Sequence, residues 1–279
     1  MRATTVSKLA LSALMCSAVA CDAQQSTSPA SRTGSALRAE ASRSAARNNK
    51  VANTTIVLVH GAFAGALAWQ EVIGLLQREG YNVIAVENPL LSPDQDVEIT
   101  RRTIKAETDA GRDVVAVGHS YGGFVITGAA AGNSKVKALV YVAAFAPDVN
   151  ERVDAFLQQF PSDLGTALVP DAAGFLHIDV AKFRPVFAGD LPERETRIAA
   201  AAQKPIVASA FGATVPEAAW KTIPSWYVVS RQDHAINPDL ERKYAKRMNA
   251  QTTEVNASHV AFISRPKEIA RVILEAAAK

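Results

Sequence analysis

From residue 54 onward the chain alternates between short runs of consecutive apolar residues and longer stretches where apolar residues return every three or four positions. Thr55-Ile56-Val57-Leu58-Val59 is continuously apolar and rich in β-branched residues, the pattern of a strand buried on both faces of a parallel sheet. Ala68 to Arg78 places Trp69, Val72, Ile73 and Leu76 on one helical face, and Gly80 ends it. A strand over 82–86, a polar helix over 92–110, a strand over 114–117 and a helix over 124–131 follow. Residues 136–144 and 226–230 read as further buried strands, 238–248 as a helix, 253–256 as a last short strand and 266–277 as a closing amphipathic helix. This repetition predicts an α/β domain with a mainly parallel, doubly wound sheet and helices on both faces. Reactive groups are then expected at the carboxyl ends of the strands.

The alternation stops at about 147–223. Phe156, Leu157, Phe160, Leu164, Phe175, Phe183, Phe187 and Phe211 are spaced there by prolines and glycines, too apolar and too long for a loop. The stretch is expected to form a helical cap over the strand ends. Its apolar side chains either line a pocket or pack the cap onto the core.

Upstream of residue 53 the pattern differs. Arg2 and Lys8 precede a short apolar run, Leu9 to Ala20, and Ala18-Val19-Ala20 supplies the small residues of a signal-peptidase site. Residues 1–23 are therefore expected to be an export signal, too short to stay as a membrane anchor. Ala18-Val19-Ala20-Cys21 also resembles a bacterial lipobox, with Ala18 where leucine is usual. Lipidation at Cys21 and ordinary cleavage both stay open, for a periplasmic or extracellular protein. Residues 24–52, rich in Ser, Ala and Arg and without an aromatic, read as a flexible tether with a weak helical tendency around 36–47. The catalytic domain is then 53–279. Both cysteines, Cys16 and Cys21, precede it, so its core holds it together without disulfides. Net charge is +3, yet the first fifty residues carry seven basic against two acidic side chains. The domain itself is slightly acidic, which argues against nucleic acid as a partner.

Gly118-His119-Ser120-Tyr121-Gly122 is a G-x-S-x-G sequence set directly between a strand and a helix. A serine on such a turn is lifted clear of the sheet as a nucleophile, and the strand before it weighs against a coincidental Gly/Ser loop. A serine hydroxyl needs a base, and the base needs a third group to fix its tautomer. Of His60, His119, His177, His234 and His259, only His259 follows the last strand, where the order Ser…Asp…His puts the base. The side chain of His119, inside the turn, is expected to point away from the reaction. Asp233, just after strand 226–230, is the acid of choice, and Asp148, beyond strand 136–144, is its rival. The backbone N–H groups of Tyr121 and Ala62 are the expected oxyanion donors, with Phe63 beside Ala62 as a substrate contact.

Val59-His60-Gly61-Ala62, the Ser120 pentapeptide with Gly123, the Asp233 segment and Ala257-Ser258-His259 together resemble the α/β-hydrolase fold superfamily. Within it, residues 58–69 and the C-terminal third are similar to the methylesterase and hydroxynitrile lyase branch. The resemblance implies a small-molecule carboxylic ester as substrate, an acyl-serine intermediate, and neither metal nor organic cofactor. Membrane contact is expected only through a lipid on Cys21. The lyases of that branch carry threonine where Gly61 stands and lysine where Val260 stands, which argues against cyanohydrin cleavage. Ser120 argues against the relatives that use a carboxylate nucleophile. A ligand-binding receptor that keeps the triad without turnover remains the other reading.

Overall fold

The computed structural model describes residues 30–279, with side chains from residue 35 onward. Its strands, in chain order, are β1 (Thr54–Val59), β2 (Asn82–Val86), β3 (Asp113–His119), β4 (Val136–Val142), β5 (Leu168–Pro170), β6 (Phe175–Ile178), β7 (Ile206–Val207), β8 (Ser225–Ser230) and β9 (Gln251–Val255). The helices are α1 (Ala30–Ala52), α2 (Gln70–Arg78), α3 (Pro93–Asp109), α4 (Tyr121–Ala129), α5 (Val153–Gln159), α6 (Leu164–Ala167), α7 (Val180–Phe187), α8 (Glu193–Ala201), α9 (Pro238–Arg247), α10 (Ala261–Ser264) and α11 (Pro266–Ala277).

Six strands form an all-parallel sheet in the order β2-β1-β3-β4-β8-β9. The continuous apolar runs occupy its middle: β1 and β8 are buried at every position, while the edge strands β2 and β9 are partly exposed. From β1 the chain runs outward to β2 and then crosses back to β3, so strand order reverses between β1 and β3. A crevice opens at the carboxyl ends of strands at such a reversal. The loop after β1 and the turn after β3, which carry Ala62 and Ser120, flank it.

Two segments depart from expectation. Between Pro147 and Ile223 the cap holds α5–α8 but also a small antiparallel sheet in the order β5-β6-β7. Strands of two to four residues are too short to leave a legible period, so the expected helical cap carries a sheet that the sequence pattern did not announce. Upstream, α1 replaces most of the flexible tether expected over 24–52 and is longer than the tendency read at 36–47. Alanine, arginine and leucine are strong helix formers, enough to specify a helix whose residues 35–50 are all exposed. The export signal, the Cys21 lipidation site and residues 24–29 lie outside the described residues. Among the described residues, no helix is long and apolar enough to cross a membrane.

Candidate active site

Ser120 sits between the last residue of β3 and the first of α4 with φ 53° and ψ −122°. A non-glycine residue there carries about 1–3 kcal/mol of strain, held in place only by its surroundings. Its N–H is directed at the carbonyls of Val142 and Ala143, and its own carbonyl accepts from Gly123 and Phe145. The turn is also jammed against β1, since a Cβ on Gly122 would lie 2.4 Å from the Val59 carbonyl oxygen. The glycines of the pentapeptide are thus required by packing, as the motif implied.

Tyr121 begins α4, so its N–H has no acceptor within the helix. Across the crevice, the loop after β1 brings Ala62 to the same edge, and both residues are buried. Among the described residues, neither backbone N–H is taken up by a turn or loop hydrogen bond. His60 secures this loop. Its Nε2 accepts the Asn88 N–H at 3.0 Å, so Nδ1 carries the proton and donates to the Gly61 carbonyl at 2.8 Å. Burial pushes His60 below the usual histidine range and keeps it neutral for that role. Gly61 comes so close to the elbow that a Cβ on it would stand 2.7 Å from Ser120 Cβ.

Asp233, three residues past β8, and His259, in the loop after β9, meet at the same edge. Asp233 Oδ2 and His259 Nδ1 are 2.5 Å apart, and both side chains are buried. The other Asp233 oxygen, Oδ1, accepts the N–H groups of Ala235 and Ile236 at 2.7 and 2.8 Å. A carboxylate held by three donors has one orientation, and it fixes the proton of His259 on Nδ1, leaving Nε2 as the basic nitrogen. The rival Asp148 pairs instead with Lys221 and the Val149 N–H. Burial works against its ionisation, but these two partners prevail and hold it below the usual carboxylate range. No Ser120–His259 hydrogen bond forms among the described residues. Contacts of this kind commonly tighten only when the reacting group is in place.

The placement of His119 is a correction. Its side chain does not point away from the chemistry, since its ring centroid lies 4.6 Å from that of His259. Its Nε2–H donates to the His259 carbonyl at 3.0 Å, pinning the backbone of that residue. Burial, then the neighbouring His259, push His119 well below the usual range, so it is a neutral prop. A polar side chain inside a fully buried strand end was the available signal. Ser258, next to His259, donates to Asp190 of the cap, a second support that nothing in the spacing announces.

A cavity of about 510 Å³ is lined by Phe63 and Val260, the chain neighbours of Ala62 and His259, though not by Ser120 or His259 themselves. Phe63, the expected substrate contact, lines it together with Phe183, Phe187, Leu191, Val260 and Phe262 among others. Phe187 also packs against the His259 ring, at 4.8 Å between centroids. Not every cap aromatic serves the cavity: Phe156 packs edge-on against Tyr244 of α9. Among the described residues, no three His, Cys, Asp or Glu side chains converge as metal ligands would.

Sheet, elbow and buried Asp–His pair define the class, and comparison with known proteins agrees. The model of the alpha/beta hydrolase family matches residues 56–272, and the chain belongs to that family. It is 28% identical over 243 residues to alpha/beta hydrolase nvfD of Aspergillus novofumigatus, covering 80% of this chain and 96% of that protein. It is 26% identical over 205 residues to methylesterase 8 of Arabidopsis thaliana, covering 67% and 75%. Among solved structures, a pyrethroid hydrolase from Sphingobium faniae superposes with a TM-score of 0.70 at 24% identity, over 81% of this chain and 97% of that one.

Proposed function

We propose that this protein is a serine hydrolase that cleaves carboxylic esters of small to medium hydrophobic substrates through an acyl-serine intermediate. The observation that carries the reading is the buried Asp233–His259 pair at the same sheet edge as a serine held on a strained turn. Ser120 Oγ attacks the ester carbonyl while His259 Nε2 takes its proton, and Asp233 stabilises the imidazolium that forms. The N–H groups of Ala62 and Tyr121 receive the developing oxyanion. His259 then returns the proton to the departing alkoxide, and water, activated by the same nitrogen, releases the acid. The apolar cavity favours a hydrophobic acyl or alcohol group. Relatives named as methylesterases and as a carbendazim hydrolyzing esterase support ester chemistry.

Gly61 weighs against the lyase alternative. The side chain of a threonine in its place would collide with Ser120, 2.7 Å from the first added carbon. Hydrolysis of a p-nitrophenyl ester panel of graded acyl length, run beside Ser120→Ala, tests the proposal. Turnover that disappears in the variant is expected. A wild type that hydrolyses none of the panel and binds ligands as Ser120→Ala does would favour a receptor. We further propose that the enzyme is exported, which mass spectrometry of the mature N-terminus checks: a chain starting at a lipidated Cys21, or at an unmodified residue just past 20, is expected, and a chain starting at residue 1 would refute it.

A further inference from the structure

Next to Asp233 lies a second carboxyl group that the mechanism above does not use. Glu241 belongs to the first turn of α9, in a segment so polar (Asp239, Glu241, Arg242, Lys243) that it reads as a solvated helix face. Yet Glu241 is 0% exposed. Its Oε2 accepts the Ser230 N–H at 2.9 Å, while no donor reaches Oε1 among the described residues. The carboxyl group is within hydrogen-bonding reach of Asp233.

We propose that Glu241 is a positioning residue for the ester hydrolysis proposed above: as a neutral carboxylic acid it donates a hydrogen bond to the Asp233 carboxylate and thereby sets how strongly Asp233 holds His259. Two carboxylates this close and this buried cannot both ionise, so one of them keeps a proton. The donor count decides which. Asp233 is met by two backbone N–H groups and the His259 imidazole, all of which favour its charged form. Glu241 has a single backbone donor.

The neighbouring charges offset little of this. Arg242, the cation beside Glu241, is committed to Glu254 and Asp239 in solvent. The Tyr227 hydroxyl donates to the Ala144 carbonyl, and the Tyr244 hydroxyl has no partner among the described residues. Burial, then the negative Asp233, push Glu241 well above the usual carboxylate range. The start of α9 favours negative charge, but only in the modest way of any helix terminus. The proton on Glu241 also satisfies the pair, since it makes one of the two neighbouring carboxyl groups a donor to the other.

An O–H donor draws charge from Asp233 and restrains its rotation. Without it, Asp233 would stabilise the His259 imidazolium more strongly, and the imidazole would take up its proton at higher pH.

The test follows the Hε1 resonance of His259, assigned by its loss in His259→Gln, through a pH titration of the full chain. Glu241→Gln keeps an N–H donor toward Asp233 and an acceptor for Ser230, and it should titrate with wild type. Glu241→Leu removes both and should move the midpoint up by about one pH unit. In parallel, the infrared difference spectrum of wild type minus Glu241→Gln at neutral pH should show a protonated carboxylic acid band. A missing band, or a midpoint that falls sharply in Glu241→Gln, would mean that Glu241 is ionised and overturn the proposal. A Glu241→Leu midpoint equal to wild type would reduce Glu241 to packing. Should Glu241→Leu not fold, the glutamine variant and the infrared band still decide. Neither readout needs substrate, so a failure of the esterase reading would show in the ester panel alone.

Discussion

The elbow and the cap are built by opposite rules. Around Ser120 the tightest contacts are to backbone, with Gly122 on the Val59 carbonyl and Ser120 between the Val142, Ala143 and Phe145 main chains. Close packing of this sort has one solution, and it holds the reacting atoms still. The cap instead joins short helices and two- to four-residue strands, and it reaches the catalytic loops through side chains. Lys204 bonds to Glu87 and to the Asn88 carbonyl, beside the amide that fixes His60, and Asp190 takes the Ser258 hydroxyl. Under the proposed function, the difference implies a division of labour: the sheet edge would determine the chemistry, and the cap what reaches it.

Changes at the sheet edge should therefore act on kcat. The largest contrast is between the two candidate acids. Asp233→Asn keeps the shape but lets the imidazole adopt the wrong tautomer, and should lower kcat by about 10⁴-fold. Asp148→Asn loses only a half-exposed bond to Lys221 and should leave ester turnover near wild type. The reverse ranking, measured on one p-nitrophenyl ester, would move the acid to β4. Next in size is Gly61→Thr, which forces the oxyanion loop away from Ser120. A displaced Ala62 N–H should reduce kcat by about 10²–10³-fold with little change in KM. Wild-type kcat in that variant would break the claim that the loop position matters.

How far the sequence was legible follows the same division. Runs of mostly apolar residues marked β1, β3, β4 and β8, because strands buried on both faces favour apolar side chains. Ser120, Asp233 and His259 could be named because each lies within four residues of a strand end, in the expected order. Asp233 and His259 then proved to be in contact. The props were not legible. His119 and His60 work through hydrogen bonds to carbonyls and amides 20 or more residues away, and Glu241 is buried in a helix whose composition looks solvated. Such roles depend on tertiary contact, which no local period encodes. The small cap sheet was missed for the reason already given, and α1 because composition alone does not separate a solvated helix from a tether.

Cap substitutions, in contrast, should act on KM and on stability. Leu191 lines the cavity, so Leu191→Ala should remove apolar contact and leave the chemistry alone. About tenfold in KM is expected for the longest hydrophobic ester bound, and almost none for the acetate. An equal loss across the panel, or a loss in kcat, would place the substrate elsewhere.

The smallest expected effect tests the strap between the regions. Burial opposes the ionisation of Asp190, but the Ser258 hydroxyl and its other donors prevail, so it lies below the usual carboxylate range. Because the folded value is the lower one, Asp190 stabilises the protein above the pH where an unfolded aspartate ionises. That contribution is lost as pH falls through the depressed folded value. Asp190→Asn should consequently lower Tm by about 2–4 °C at neutral pH, and the gap should close as the solution is acidified. Asp190 is only partly buried, and screening by water keeps the effect small. A gap that stays constant with pH would show that the amide side chain merely packs worse. A gap that closes, with KM raised and kcat retained, would show that an ionised Asp190 holds the cap to the loop of the base.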